Sequence, residues 1–577
     1  QRFRVYLTNS LEEHHQDTGT LFANWLSTEA NEANHIKRDT PVMCVIGNPP
    51  YSGESANKGE WIMSLMDDYK KEPGGKEKLK EQNSKFINDD YVKFLRYGQH
   101  FIEKNGSGVL AFINPHGFLD NPTFRGMRWH LLKTYDKIYT IDLHGNAKKK
   151  ETAPDGSADV NVFDIEQGVS INFFIKTGKK KPNELGKVYH YDLYGKRDLK
   201  YDFLIENSLK STPYQELTLT EPNYFFKFKD YEEEANYNKG FAIPELFPLN
   251  SLGLLTKRDS LSVDFDNQNL FKKIQYFLDK ERSTEEVCKN FGLVLKDKDK
   301  WDAFQTRKNV NLSEVSEQIR DVQYRPFDNR KVFYNPYFVA RPNTKVLGHF
   351  IKENTGLIIC RQGQAVGGDE WNVVFACKYL TDQNVYRRGG GTIFPLYLYP
   401  ENLGKQSIDQ PDTSKRTPNL NPKIVQQIAE QLGLDFVPDH EAIPEKYTIY
   451  VPPKPLGSSF VRPGDWGYHN CFTPLDLLDY IYAVLHSPTY REKYKEFLKI
   501  DFPRVPYPKD QDTFWQLVTL GGQLREIHLL ESPVVEQYST QYPIDGDNVV
   551  DKPKYKNGKV YINDTQYFDK VPQVAWV

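Results

Sequence analysis

The chain has 577 residues, 38% of them apolar and 27% charged, with a formal charge of −3. That length suits about two to four domains, and no apolar run approaches the roughly 20 residues of a membrane-spanning helix. The near-zero charge excludes a global electrostatic pull toward nucleic acid, so any such contact must come from local patches such as Lys148-Lys149-Lys150, Lys179-Lys180-Lys181 and Arg387-Arg388.

In chain order, Val42 to Ile46 is a continuous apolar run and predicts a strand buried on both faces. Residues 52–90 are rich in Gly, Lys, Asn and Glu and predict a mobile loop. Tyr91, Phe94, Leu95, Phe101 and Ile102 recur at helical spacing. Val109–Ile113, Ile138–Leu143 and Val169–Ile175 predict further strands, and strands alternating with helical stretches predict a mostly parallel α/β sheet. Beyond Lys181 the stretches shorten and Tyr and Pro abound, predicting a mixed α+β region with few long helices. One helix is expected from Asn421 as N-cap through Pro422 to Gly433, and another at the capping box of Thr473-Pro474-Leu475-Asp476. The expected division is 1–185, 186–415 and 416–577.

Cys44, Cys288, Cys360, Cys377 and Cys471 form no C-x-x-C pair, which argues against disulfides and a zinc-cysteine site and fits a reducing cytoplasm. The His residues include no H-E-x-x-H, and His14-His15 reads as exposed helix, so no metal site is expected. Gly74-Gly75-Lys76 lacks the leading Gly and trailing hydroxyl of a phosphate loop. Pro438-Asp439 and Glu445-Lys446 lack the spacing of a nuclease metal site and read as surface loop.

Asn48-Pro49-Pro50-Tyr51 follows the first strand directly, at the carboxyl end where open α/β sheets build their sites. An exocyclic amine on adenine is a poor nucleophile because its lone pair is delocalised into the ring. Two acceptors that take both amino hydrogens favour a more tetrahedral, more reactive nitrogen. The Asn48 side-chain oxygen and the Pro49 carbonyl are candidates, pre-aimed by the prolines. Tyr51 offers a face on which a base rotated out of a duplex can stack.

On these residues the sequence resembles the gamma-type amino-methyltransferases of restriction–modification systems. More narrowly, it resembles the methyltransferase and target-recognition half of single-polypeptide, ATP-dependent Type ISP enzymes. Val5 to Leu11, Gly108 to Ile113 with Met127-Arg128, Ile141 to Asn146, Phe163 to Ile171, Tyr324 to Asp328 and Asp501 to Pro506 carry the rest of the likeness. The resemblance implies the C-terminal part of a Rossmann-like methyltransferase sheet, followed by a mixed α+β target-recognition region. It further implies transfer of a methyl group from S-adenosylmethionine to adenine N6 in double-stranded DNA, with Asn48, Pro49, Pro50 and Tyr51 holding the base and Asn9 at the cofactor. The glycine-rich cofactor motif of that family has no counterpart before Asn48. The chain is therefore expected to be a carboxyl-terminal piece of a longer enzyme with helicase and nuclease portions upstream, and to have little methyltransferase activity alone.

Target reading is expected from Arg361, Gln362 and Gln364, and from Gln383 and Asn384 through Arg387 and Arg388, in glycine-bearing loops whose side chains suit base edges. Three other readings stand beside this one: a methyltransferase acting on a glutamine amide of protein, a DNA-specificity fragment without catalysis, and N4-cytosine methylation.

Overall fold

The computed structural model describes residues 4–13, 24–51, 55–79, 85–147, 151–298, 301–360, 371–386, 390–400, 416–439, 449–450, 467–468, 470–498 and 501–576. The chain divides into two compact units, Gln1–Glu232 and a second from Glu233 onward. Among the described residues no helix is long and apolar enough to cross a membrane.

The first unit runs α1 (Asn24–Asp39), β1 (Cys44–Gly47), α2 (Glu60–Met66), α3 (Asp90–Asn105), β2 (Gly108–Pro115), α4 (Arg125–Thr134), β3 (Lys137–Asp142), β4 (Val169–Lys176), β5 (Lys187–Asp192), α5 (Arg197–Glu206) and β6 (Gln215–Glu216). The sheet order is β1-β2-β4-β3-β5-β6. β1 pairs parallel with β2, and β3 with β5, while β4 runs antiparallel to both of its neighbours. β1, β2, β3 and β5 therefore share one direction and place their carboxyl ends along one edge.

Local chemistry sets these elements. The Asp89 side chain accepts from the Tyr91 N–H to open α3, and Gly106, in the left-handed region at φ 87°, closes it. Gly98 lets α3 lie on the sheet, because a Cβ there would meet Leu110 Cδ1 at 2.6 Å. The core beneath gathers Val92, Leu95 and Ile102 of α3 with Leu110, Met127, Leu131 and Phe174.

Three expectations change. β1 is not buried on both faces: among the described residues it pairs with β2 alone, and Met43 and Ile46 are 67% and 79% exposed. Residues 52–90 are not simply a loop, since α2 and the turns Asp67–Lys70 and Lys85–Asn88 bury Ile62, Met66, Tyr69 and Ile87. The sheet is mixed, because the strand at Val169 enters antiparallel between β2 and β3 instead of extending a parallel series.

In the second unit, one four-stranded sheet orders Leu380–Thr381, Ile319–Arg325, Asp328–Phe333 and Val263–Asp264. Another orders Val374–Cys377, Gly356–Ile359, Thr392–Pro395 and Ser251–Leu252. The helix Pro422–Leu432 has the expected ends: Asn421 accepts from the Lys423 N–H at 3.0 Å, and Gly433 is left-handed at φ 64°. Thr473 and Asp476 form the reciprocal capping box of Pro474–His486. Few long helices were expected here, yet Gln511–His528 spans 18 residues and packs on Pro474–His486. Gly521 permits that crossing, because a Cβ would stand 1.9 Å from the Asp479 carbonyl oxygen. Beside it, Arg525 grips the Asp479 carboxylate with two hydrogen bonds, 2.6 and 3.0 Å.

Candidate functional site

The β1–β2 register sets Gly47 opposite Phe112, so the tetrapeptide leaves the sheet before β2 ends at Pro115. Asn48 and Pro50 are exposed, Pro49 is buried and Tyr51 is half-buried. The Tyr51 hydroxyl donates to Asn48 Oδ1 at 2.7 Å and also lies 3.2 Å from the Ile113 carbonyl on β2. Burial pushes the Tyr51 phenol up to about 12, so it remains a donor across the working range of pH. The chain beyond is tied down by Lys93 of α3, whose buried ammonium donates to Ser55 Oγ at 2.6 Å and to the Asn57 carbonyl. Asn48 thus presents a side-chain oxygen at an exposed sheet edge, held in orientation by a tyrosine anchored to the next strand.

Asn9 is exposed and locally engaged. Its amide donates to Glu12 Oε1 at 2.9 Å, its side-chain oxygen accepts from the Leu11 N–H at 3.1 Å, and its carbonyl accepts from Lys37 of α1 at 2.7 Å. None of these bonds reaches Asn48 to Tyr51.

The topology also assembles a buried polar cluster that sequence reasoning missed. It lies at the same carboxyl edge, on His116 after β2, Asp142 ending β3, His144 and Glu151 beyond it, and Asp192 ending β5. The β3–β5 register sets Asp142 opposite Asp192. His116 Nδ1 is 2.9 Å from Asp142 Oδ1, and Lys227 Nζ is 2.7 Å from Asp142 Oδ2. Gly168, preceding β4, leaves room for the His116 ring, which a Cβ would approach to 2.5 Å. His144 Nδ1 meets Glu151 Oε1 at 2.7 Å and its Nε2 meets Asp192 Oδ1 at 2.8 Å, while Tyr194 stacks on the ring with centroids 3.8 Å apart.

Burial opposes charge on each of these groups, but their partners prevail. Lys227, His116 and His144 hold the Asp142 carboxyl well below its usual range. Asp142, Asp192 and Glu151 raise the His144 imidazole to about 9, and His144 in turn brings Glu151 down to about 2. His144 sits at φ 51°, a left-handed conformation uncommon for any residue but Gly and of the kind that gathers at functional sites.

The segment 143–168 that carries His144 and Glu151 is itself pinned from within. Lys200, fully buried on α5, donates to the Leu143 carbonyl at 2.6 Å and the Val160 carbonyl at 2.9 Å, and pairs with Asp159 at 2.8 Å. Asp159 accepts from the Gly145 and Gly195 N–H groups, and Asn161 donates to the Gly145 and Gln167 carbonyls. The only sequence signal for this cluster was the run Ile141 to Asn146 noted for its family likeness. Its members are too far apart in the chain for any spacing rule to join them.

Of the expected target-reading residues, Arg361, Gln362, Gln364, Arg387 and Arg388 lie outside the described residues, as do Lys148 to Lys150. Gln383 and Asn384 are half-buried in the turn after Leu380–Thr381. The Gln383 N–H donates to the Leu254 carbonyl at 2.7 Å, and the Asn384 N–H donates to Asp382 Oδ1 at 2.7 Å. Gln383 Oε1 is buried with no hydrogen bond among the described residues. Tyr324 to Asp328 forms a hairpin turn in which Arg325 and Arg330 both lie over the Tyr324 ring, at 3.9 and 4.2 Å. Arg504 of Asp501 to Pro506 pairs in a short antiparallel ladder with Ala242.

A mixed α/β unit followed by a larger unit of several sheets agrees with a methylase coupled to a recognition region. Residues 245–577 match the Type ISP C-terminal specificity domain, and residues 5–148 match the Eco57I restriction-modification methylase. The chain belongs to the Type ISP restriction–modification family. Among solved structures it is similar to the ATP-dependent Type ISP restriction-modification enzyme LlaBIII bound to DNA, with 20% identity and a TM-score of 0.67, covering 99% of this chain and 35% of that one. A nuclease-deletion mutant of the Type ISP enzyme LlaGI with a DNA substrate mimic gives 18% and 0.62, covering 99% and 42%. The DrdV–DNA complex gives 21% and 0.64, covering 99% and 54%. The chain thus spans between about a third and a half of the length of these solved chains. Comparison with curated proteins found no match.

Proposed function

We propose that this chain supplies the target-base half of a DNA adenine-N6 methyltransferase, together with the region that recognises the DNA sequence. The observation that carries this reading is Asn48, exposed at the carboxyl end of β1, with its side-chain oxygen oriented by Tyr51 and a buried Pro49 beside it. In this reading, Asn48 Oδ1 and the Pro49 carbonyl accept the two amino hydrogens of an adenine rotated out of the duplex. When the base enters, the Tyr51 hydroxyl keeps its second acceptor, the Ile113 carbonyl, so Asn48 is released to the amine without stranding a buried donor. The β1-β2-β4-β3 order, with one antiparallel strand inserted, supports the expected C-terminal part of a Rossmann-like sheet. Residues 1–185 would carry the transfer site, and 186–415 and 416–577 the recognition region.

Methylases of this kind use S-adenosylmethionine, which supplies a sulfonium methyl group. Asn9, the residue to which the resemblance points, does not fit that role in this conformation. Its amide and oxygen are both engaged, by Glu12 and the Leu11 N–H. We therefore assign this chain the base-holding steps alone and expect weak cofactor binding and little methyl transfer by the isolated chain. Tight S-adenosylmethionine binding to it in calorimetry would contradict that expectation.

The main test uses the full-length enzyme with its upstream portions. Asn48→Ala should abolish adenine methylation and leave DNA affinity within about threefold, since base acceptors contribute to alignment more than to binding. Methylation that survives the substitution refutes the role. A second reading, specificity without catalysis, is favoured by the longer of the two family matches, over 245–577. It predicts that an intact full-length enzyme binds its site and never methylates it.

A further inference from the structure

The polar cluster at the strand ends has the makings of a metal centre. His116, His144 and Glu151 each bring a donor atom within 4.8 Å of the others. Each imidazole is backed by a carboxylate. Asp142 Oδ1 lies 2.9 Å from His116 Nδ1, and Asp192 Oδ1 lies 2.8 Å from His144 Nε2. Carboxylate-backed histidines of this kind are how proteins fix the tautomer and aim of metal-binding imidazoles. His116 is 5% exposed, and its Nε2 has no hydrogen bond among the described residues. His144 Nδ1 and Glu151 Oε1 lie 2.7 Å apart, so the two donor atoms already converge, and a cation at roughly 2.0–2.2 Å from each would replace the hydrogen bond between them. Glu151 Oε2 is already occupied by the Asn146 N–H at 3.0 Å, which leaves Oε1 as the ligating oxygen.

The charges point the same way. Asp142, Glu151 and Asp192 bring three negative charges, and Lys227, 2.7 Å from Asp142 Oδ2, brings one positive charge. His190 stays in the outer ring, bonded to Thr140 Oγ1 at 2.7 Å and 3.1 Å from Asp192. With both imidazoles neutral, Asp142, Glu151, Asp192 and Lys227 sum to a double negative charge that one divalent cation would offset; in its absence the protonated His144 meets part of it. The donor set of two nitrogens and one oxygen suits zinc and its neighbours; calcium and magnesium prefer oxygen.

We propose that His116, His144 and Glu151 bind one zinc-class divalent cation, with Asp142 and Asp192 as the carboxylates behind the two histidines. The cation would clamp the segment 143–168 against the ends of β2, β3 and β5, beside the Asn48 edge. This site rests on none of the groups assigned to the adenine, so its failure would leave the methyltransferase reading untouched.

The test needs neither DNA nor S-adenosylmethionine. The 577-residue chain, stripped with chelator, is titrated with Zn²⁺ and with Co²⁺. One equivalent should bind, and the Co²⁺ form should show visible d–d bands without thiolate charge transfer. Asp192→Asn should weaken Zn²⁺ binding roughly 10- to 100-fold, as loss of an outer carboxylate does, and Glu151→Gln at least as much. If those variants fail to fold by circular dichroism, X-ray absorption on the wild-type Zn²⁺ form decides, with two imidazoles and no sulfur expected. The proposal is overturned by absence of stoichiometric binding to folded wild-type chain, by sulfur in the coordination shell, or by binding that survives Glu151→Gln but is lost on changing His14 and His15 to Ala.

Discussion

Lys200→Met is the sharpest probe of the segment that carries His144. The ammonium of Lys200 is fully buried and makes three contacts, to the Leu143 and Val160 carbonyls and to Asp159. Methionine fills a similar volume, so little cavity is created. What remains is a fully buried Asp159 carboxylate with no cation and two carbonyls without donors. Removing one partner of a buried ion pair typically destabilises by about 3–5 kcal/mol, because the remaining charge is uncompensated. Asp159→Asn in the Lys200→Met background should recover part of the loss, since it removes the uncompensated charge, though its one amide oxygen can accept from only one of the Gly145 and Gly195 N–H groups. The assay is urea denaturation combined with hydrogen exchange read peptide by peptide, because two units need not unfold together. Protection over residues 143–168 should fall by a factor matching the measured loss, while the second unit keeps its midpoint. A loss under about 1 kcal/mol, the value of an exposed pair, would refute the argument.

Tyr51→Phe removes the hydrogen bond to Asn48 and should lower the stability of the first unit by about 1 kcal/mol, measured in urea. Its difference absorbance spectrum against wild type should show no Tyr51 phenolate below about pH 11, since burial raises that phenol to about 12. Gly521→Ala should destabilise the second unit by at least 1–3 kcal/mol, because the new Cβ must displace the Asp479 carbonyl; an unchanged thermal midpoint would show that the helices slide freely. Burial works against ionisation of Asp68, but hydrogen bonds from Arg96 and Lys71 keep its carboxyl below the usual range. Its folded pKa is depressed, so its contribution to stability is present above about pH 4 and is lost as the pH falls through the depressed value. Asp68→Asn should flatten that acid limb in melts taken from pH 7 to 3.

The sequence spoke most clearly where the chemistry is local. Asn421, Pro422 and Gly433 announce a helix because capping needs only neighbours, and Thr473 with Asp476 does the same. Asn48 to Tyr51 stood out as a candidate site because its four members are consecutive and follow a strand, which the structure places at Cys44–Gly47. α2 was hidden because it is a short helix, Glu60–Met66, set between long polar stretches rich in Gly, Lys, Asn and Glu. Gln511–His528 was hidden for another reason. Gly521-Gly522 in its middle lowers helix propensity, yet the helix crossing beside Asp479 requires Gly521 to lack a side chain. Beyond the run Ile141 to Asn146 the His–carboxylate cluster left no sign in the sequence, since the strand order is what brings residues 116, 142, 151 and 192 together.

The insertion of β4 between β2 and β3 has a kinetic consequence. β2 and β3 precede β4 in the chain, yet neither has its partner on that side until β4 arrives, delivered by the segment 143–168. The middle of the sheet therefore closes only after both strands that flank the gap have been made. Closure must wait for a long excursion that is itself ordered by Lys200 and Asp159, groups that reach across from α5 and from the excursion itself. Non-local pairing of this kind slows folding, and it makes the excursion a checkpoint in assembly. A lesion at Gly145 or Asn161 would then be felt first as a slower refolding phase and as aggregation through the unfilled gap between β2 and β3.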